Sequence, residues 1–248
     1  MKNSKIYADV IEAFNQSYPC LPGESLARAH LENRISELSE ILCKEPLILF
    51  VLNENKRHDP ESYNHMLRVG VEYCCMLEIY LNSLHQDTSR VVGFLHDAGK
   101  MYVPQKILQK PTKLTQEELK IIKCHNMLSM TVLKELEPKY CGIAGIALAH
   151  HDYPRTGAER RSKGRREFIF NIHFDRREDE RRNGERRKKD ALAESAGKIL
   201  MICDIFDALS SPRPYKTSWS SGQVMEELGK KFPEYRDVAR IVCRIFSN

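Results

Sequence analysis

The sequence predicts an all-α protein on three observations. Apolar residues recur at steps of three and four along most of the chain, strand-like alternation is nearly absent, and helix breakers are few. The breakers are 12 Gly and 11 Pro among 248 residues, in a composition 42% hydrophobic and 29% charged, which suits a helix-rich protein with a sizeable core rather than a disordered or fibrous one.

The elements follow in chain order. Ile6, Val10 and Phe14 mark a first helix; Leu31, Ile35, Leu38 and Leu42 mark a second. The breaker Pro19-Cys20-Leu21-Pro22-Gly23 separates them. Ser25 is placed to cap the second helix, and Pro46 interrupts its apolar run near the end. Residues 1–57 therefore read as a short N-terminal helical appendage of two helices, and 58–248 as the main domain. From Pro60, Met66, Val69, Tyr73, Met76 and Tyr80 form one apolar stripe, with His65 beside it. Thr115-Gln116-Glu117-Glu118 is a capping-box signature opening a helix with Leu119, Ile122 and Val132 on its apolar positions. Only Phe168 to Ile172 resembles a strand, and it is expected as a small hairpin or an anchor.

Charge and composition narrow the classes further. The longest apolar run, Leu47 to Leu52, is far too short to span a bilayer, and the residues after Met1 lead into no signal-peptide core. A cytoplasmic protein without membrane contact is the expectation. Eight cysteines, none in two-residue-gap pairs, fit reduced thiols in that compartment. The net charge of +5 is not concentrated. Asp175 to Asp190 carries eight basic and six acidic residues, a polyampholyte expected to be solvated, mobile or weakly helical. A nucleic-acid partner would rest on those arginines alone and is not favoured.

The chemistry gathers around histidine. Five of nine histidines, His65, His96, His125, His150 and His151, fall in stretches that read as helix. Carboxylates accompany them: Glu61 precedes His65 by four residues, Asp97 follows His96, and Asp204 lies in the apolar run Ile199 to Phe206. One histidine on an apolar helix is usually a hydrogen-bonded core residue, but five beside carboxylates make a ligand set for iron, manganese or zinc. A buried carboxylate such as Asp97 or Asp204 is costly bare, and a divalent cation offsets that cost. Glu61 and His65, at i and i+4, share one helical face. His96 and Asp97 point about 100° apart on a helix, so both can address one cluster only near a helix end or crossing. Gly99 is expected to supply that end. Pro154 argues that His150-His151 also lie at a terminus.

With these motifs the chain resembles the HD-GYP family of cyclic di-GMP phosphodiesterases, from about Pro60 to Lys216. His65 with Arg68-Val69 is similar to the family's first His motif, and Leu95-His96-Asp97-Ala98-Gly99-Lys100 to its name-giving motif. Val103-Pro104, Ile107-Leu108, Lys110-Pro111, Lys113-Leu114-Thr115, Glu117-Glu118 and Lys123-Cys124-His125 keep the family's order. His150-His151, Asp204 to Leu209 and Arg213-Pro214-Tyr215-Lys216 resemble its later blocks. The resemblance implies an HD-domain helical bundle and a binuclear metal centre. His65, His96, Asp97 and Asp204 would hold one ion; Asp97, His125, His150 and His151 the second, with Asp97 bridging. Glu61 falls where some members complete the first site or recruit a third metal. Iron is the family's expectation, and manganese suits the same ligands. Asp97 and Lys100 would carry catalysis, with phosphate contacts from Lys100, Arg213 and Lys216.

The chain departs from the family after its paired histidines. His150-His151-Asp152-Tyr153-Pro154-Arg155-Thr156-Gly157 lacks the Gly-Tyr-Pro triad, and the charged stretch of about 155–190 reads as a long Arg-rich insertion. Three readings stay open: a cyclic di-GMP phosphodiesterase with altered selectivity, a weakly active or inactive module sensing cyclic di-GMP or a protein partner through the Arg-rich loop, and an HD phosphohydrolase for another nucleotide.

Overall fold

The computed structural model describes residues 5–17, 26–80, 87–140, 142–151, 180–211 and 218–246. Twelve α-helices are found among them: α1 (Lys5–Ser17), α2 (Leu26–Cys43), α3 (Pro46–His58), α4 (Pro60–Tyr80), α5 (Asp87–Leu95), α6 (Gln105–Leu108), α7 (Gln116–Lys123), α8 (His125–Lys134), α9 (Ile143–Ala149), α10 (Glu180–Ser210), α11 (Ser221–Lys231) and α12 (Arg236–Phe246). A 3₁₀ turn, Ala98–Tyr102, follows α5. No strand occurs among the described residues, so the all-α expectation holds. Phe168 to Ile172, expected as a small hairpin or an anchor, lie outside them.

Local chemistry explains where several helices begin. The described residues up to His58 form three helices rather than the expected two, because Pro46 starts α3 instead of interrupting α2. At the first helical position the missing proline N–H costs nothing, and its fixed φ already suits a helix. Lys56, Arg57 and His58 in the last turn of α3 complement its dipole. The capping box at Thr115 forms as the sequence indicates: its hydroxyl accepts from Glu118 N, and Glu118 Oε2 accepts from Thr115 N at 2.8 Å. The predicted helix then divides at Cys124 into α7 and α8. Gly142 enters α9 with φ +86°, a left-handed conformation that costs glycine little.

One core runs through the bundle. Val10 and Phe14 of α1, Ile35 and Leu42 of α2, and Val51 and Leu52 of α3 are buried with Met66, Leu67 and Tyr73 of α4, Phe94 of α5, Leu200 and Phe206 of α10, and Phe246 of α12. Each fully buried large side chain contributes about 1.5–3 kcal/mol through removal from water. α4 is central, packing against α1, α3, α5, α10 and α12.

Small residues set two of the crossings. A Cβ at Gly70 of α4 would lie 2.4 Å from the Phe94 ring, and one at Gly93 of α5 would lie 2.9 Å from the Tyr73 ring. Glycine at both positions lets α4 and α5 approach closely, bringing His65 to the turn that carries His96. A Cβ at Gly197 of α10 would meet Ala149 Cβ at 2.6 Å, which seats α10 against the end of α9 beside His150. Of the Arg-rich stretch, expected as solvated, mobile or weakly helical, the part from Glu180 is helical and continues without a break into the part of α10 that carries Asp204.

Candidate metal centre

Four helix ends and two helix interiors converge on one buried site. His65 projects from α4 and Asp204 from α10. His96 and Asp97 occupy the turn between α5 and the 3₁₀ segment, His125 is the first residue of α8, and His150 and His151 follow the last residue of α9. The expected positions of His96-Asp97 and His150-His151 at helix termini are thus found. Gly99 works differently from the expected helix stop. It lies inside the 3₁₀ segment, where a Cβ would sit 2.2 Å from the His125 carbonyl oxygen and 2.5 Å from Ser129 N. Its N–H donates to Ser129 Oγ at 2.8 Å. Glycine is needed there because the start of α8 presses on the turn.

The seven side chains form two groups sharing Asp97. In each, the donor atoms lie within 4.8 Å of one another: His65, His96, Asp97 and Asp204 in one, Asp97, His125, His150 and His151 in the other. Asp97 Oδ2 stands 3.5 Å from His65 Nε2 and 3.4 Å from His96 Nε2, whereas its Oδ1 stands 3.0 Å from His125 Nε2. One carboxylate therefore presents one oxygen to each group. Asp204 Oδ1 lies 3.0 Å from His65 Nε2, and His125 Nε2 lies 2.8 Å from His151 Nε2.

Hydrogen bonds fix the imidazole tautomers. Nδ1 of His96 faces the Gly93 carbonyl at 2.8 Å, that of His125 the Ile122 carbonyl, and that of His150 the Ala147 carbonyl. Nδ1 of His65 lies 2.6 Å from Asp207 Oδ2. Carbonyl and carboxylate oxygens only accept, so each Nδ1 carries the proton and donates it. In its neutral form each of these rings turns its Nε2 lone pair into the cluster, the arrangement of metal-binding histidines. Nε2 of His96 and of His150 are buried without a hydrogen-bond partner, and such an orphan costs about 1–3 kcal/mol. Convergent lone pairs, the buried Asp97 carboxylate and the partly exposed Asp204 carboxylate fit divalent metal ions.

Electrostatics agree with that fit. Burial would raise the Asp97 carboxyl, but Lys100, His96 and His125 hold it well below the usual range. Asp204 is likewise depressed against its burial, chiefly through His65. Burial would lower His65, yet Asp204, Asp207 and Asp97 outweigh it and push its pKa up to about 10. Burial and neighbouring imidazoles push His150 well below the ordinary value and His151 down to about 4, against the opposing pull of Asp97 and Asp204. Lys100, about one-sixth exposed, pairs with Asp97 Oδ2.

Other expected residues sit elsewhere. Glu61 is not in either group; its carboxylate is 43% exposed and lies 3.4 Å from Arg68 Nη2. Arg213 and Lys216 lie outside the described residues. Asp207, Arg68 and Ser211 surround His65 without having been assigned a role from sequence. Asp207 accepts from Arg68 Nε at 2.6 Å and from Ser211 Oγ at 2.7 Å. The available signal was spacing: His65 with Arg68, and Asp204 with Asp207, are i, i+3 pairs on facing helices. Asn55 of α3 also supports the site, donating to the Ala98 carbonyl at 3.2 Å.

A family profile for the HD domain matches residues 62–209, which include all seven clustered side chains. The chain belongs to the HD-domain family. Its curated relatives bear out the resemblance to the HD-GYP branch. The chain is 25% identical over 214 residues to a cyclic di-GMP phosphodiesterase of Pseudomonas aeruginosa, covering 84% of this chain and 44% of that one. It is 29% identical over 186 residues to 3'3'-cGAMP-specific phosphodiesterase 2 of Vibrio cholerae, covering 73% and 30%. It is also 29% identical over 192 residues to a cyclic di-GMP phosphodiesterase of Thermotoga maritima, covering 75% and 44%. The chain thus spans less than half the length of each of these relatives. Among the described residues no helix is long and apolar enough to cross a membrane.

Proposed function

We propose that the protein is a metal-dependent phosphodiesterase for cyclic dinucleotides, with cyclic di-GMP its first candidate substrate. The observation that carries this reading is the pair of ligand groups sharing Asp97. Relatives named for cyclic di-GMP and for 3'3'-cGAMP support the substrate class. His65, His96, Asp97 and Asp204 would hold one divalent ion, and Asp97, His125, His150 and His151 the other. Iron is the first candidate and manganese the second. Glu61, at the rim, is the candidate for a third.

Two ions bound there would supply Lewis-acid charge for the phosphoryl oxygens and lower the pKa of water towards neutrality. The protein's own residues do the rest. Asp97 would be shared by both positions, while Nδ1 hydrogen bonds hold the His65, His96, His125 and His150 rings in orientation. Lys100 stands at the edge with its ammonium on Asp97; a substrate phosphate competes for that charge, and Lys100 then stabilises negative charge growing on the phosphoryl oxygens. Arg213 and Lys216 are proposed as further phosphate contacts. The sequence after His151, which lacks Gly-Tyr-Pro, is the candidate determinant of selectivity among cyclic dinucleotides. The Arg-rich stretch is the candidate contact for a protein partner, and the cytoplasm is the proposed compartment.

The test is hydrolysis of a cyclic dinucleotide panel by metal-loaded protein, alongside Asp97→Ala. Loss of bound metal and turnover together in the variant is expected. Turnover retained by Asp97→Ala overturns the assignment, and metal binding without turnover on any panel member favours a receptor instead.

A further inference from the structure

Nδ1 of His96, His125 and His150 donates to a backbone carbonyl, whereas that of His65 donates to a carboxylate. Asp207 is fully buried and anchored on its other side by Arg68 Nε and Ser211 Oγ, so it is held in place as the acceptor. A carboxylate behind an imidazole draws its Nδ1 proton and raises the electron density at Nε2, making it the better ligand. The two groups differ in charge as well. The one containing His65 has two carboxylates, Asp97 and Asp204, whereas the other has Asp97 alone.

Resting on the binuclear reading above, we infer that Asp207 is a positioning residue that makes the two metal positions inequivalent: the His65 position binds its ion more tightly and fills first. Both differences act in the same direction. The full negative charge behind His65 and the second carboxylate in front of it favour a divalent ion there. The other position relies on three imidazoles and a shared carboxylate. Arg68 moderates the effect. Its guanidinium takes up part of the Asp207 charge through Nε at 2.6 Å and Nη2 at 3.1 Å, leaving the carboxylate a weaker base than it would be alone.

Calorimetric titration of the metal-free full chain with Mn²⁺ tests this. Wild type is expected to take up metal in two steps; His65→Ala should remove the tighter one and His125→Ala the weaker. Asp207→Asn keeps the shape but removes the charge, and should weaken the tighter step about 10–100-fold while leaving the weaker one in place. Arg68→Gln should retain or tighten that same step even as it lowers thermal stability, because it frees the carboxylate. A purely structural role for Asp207 predicts that both variants lose affinity alike, and that result overturns the inference. An unchanged tight step in folded Asp207→Asn, or two equal steps in wild type, overturns it too. If Asp207→Asn does not fold, Arg68→Gln decides alone, with a weakened tight step counting against the inference. Wild type that takes up no metal refutes the binuclear reading itself.

Discussion

Gly99→Ala is a small perturbation whose effect can be worked from the structure. The added methyl would stand 2.2 Å from the His125 carbonyl oxygen, 2.5 Å from Ser129 N and 2.8 Å from Leu128 Cβ, against an ordinary contact of at least 3.4 Å. Two of these three neighbours are backbone atoms, so rotating a side chain relieves nothing. The start of α8 and the His96-Asp97 turn must separate by about 1 Å, and overpacking of this kind costs about 1–3 kcal/mol. For a chain of this size that lowers the melting temperature by roughly 2–12 °C. The catalytic effect should be larger than the stability effect. His125 moves away from Asp97 Oδ1, now 3.0 Å from its Nε2, and a misplacement of about 1 Å can cost roughly 100-fold in rate. Thermal melting and cyclic dinucleotide turnover, measured on one preparation, check both figures. A variant that melts with wild type and turns over within about threefold of it would refute the claim that Gly99 couples α8 to the site.

Metal binding should release protons. In the metal-free protein His65 is pushed up to about 10, so at about pH 8 it holds two protons and must lose the one on Nε2 to accept an ion. Calorimetry in buffers of different ionisation enthalpy should show about one proton released per chain, and a slope of zero would contradict it. The same shift sets the metal-free stability profile. With its pKa raised from 6.5, the contribution of His65 is fully present below about pH 6.5 and is lost as pH rises through about 10. Chemical denaturation across that range should follow this fall. Leu67→Ala in the fully buried centre of α4 should cost about 2–5 kcal/mol of stability; denaturation unchanged from wild type would argue against α4 as the central helix.

The clustered side chains were legible because each lies in a short motif whose meaning is local: a histidine in an apolar helical stretch, a carboxylate beside it, a turn following. The residues that tune them were not. Asp207 and His65 are 142 positions apart, and only the packing of α10 on α4 brings them together. Gly99 was visible, but the atoms that require it belong to the start of α8. Pro46 carried a usable signal, since proline is at home at a first helical position; the apolar run across it concealed the break between α2 and α3. Glu61 shares a helical face with His65, and one turn nearer the start of α4 it stands at the rim beside Arg68.

The central claim is that this buried histidine and carboxylate cluster holds a pair of metal ions that hydrolyse a cyclic dinucleotide. Its most direct test is turnover of cyclic di-GMP and 3'3'-cGAMP measured against metal content in the same fractions of protein purified without oxygen. Hydrolysis that rises with metal, to a plateau at about two ions per chain, is the result predicted. Fully loaded protein that cleaves neither nucleotide, or cleavage that persists after complete removal of metal, would contradict it.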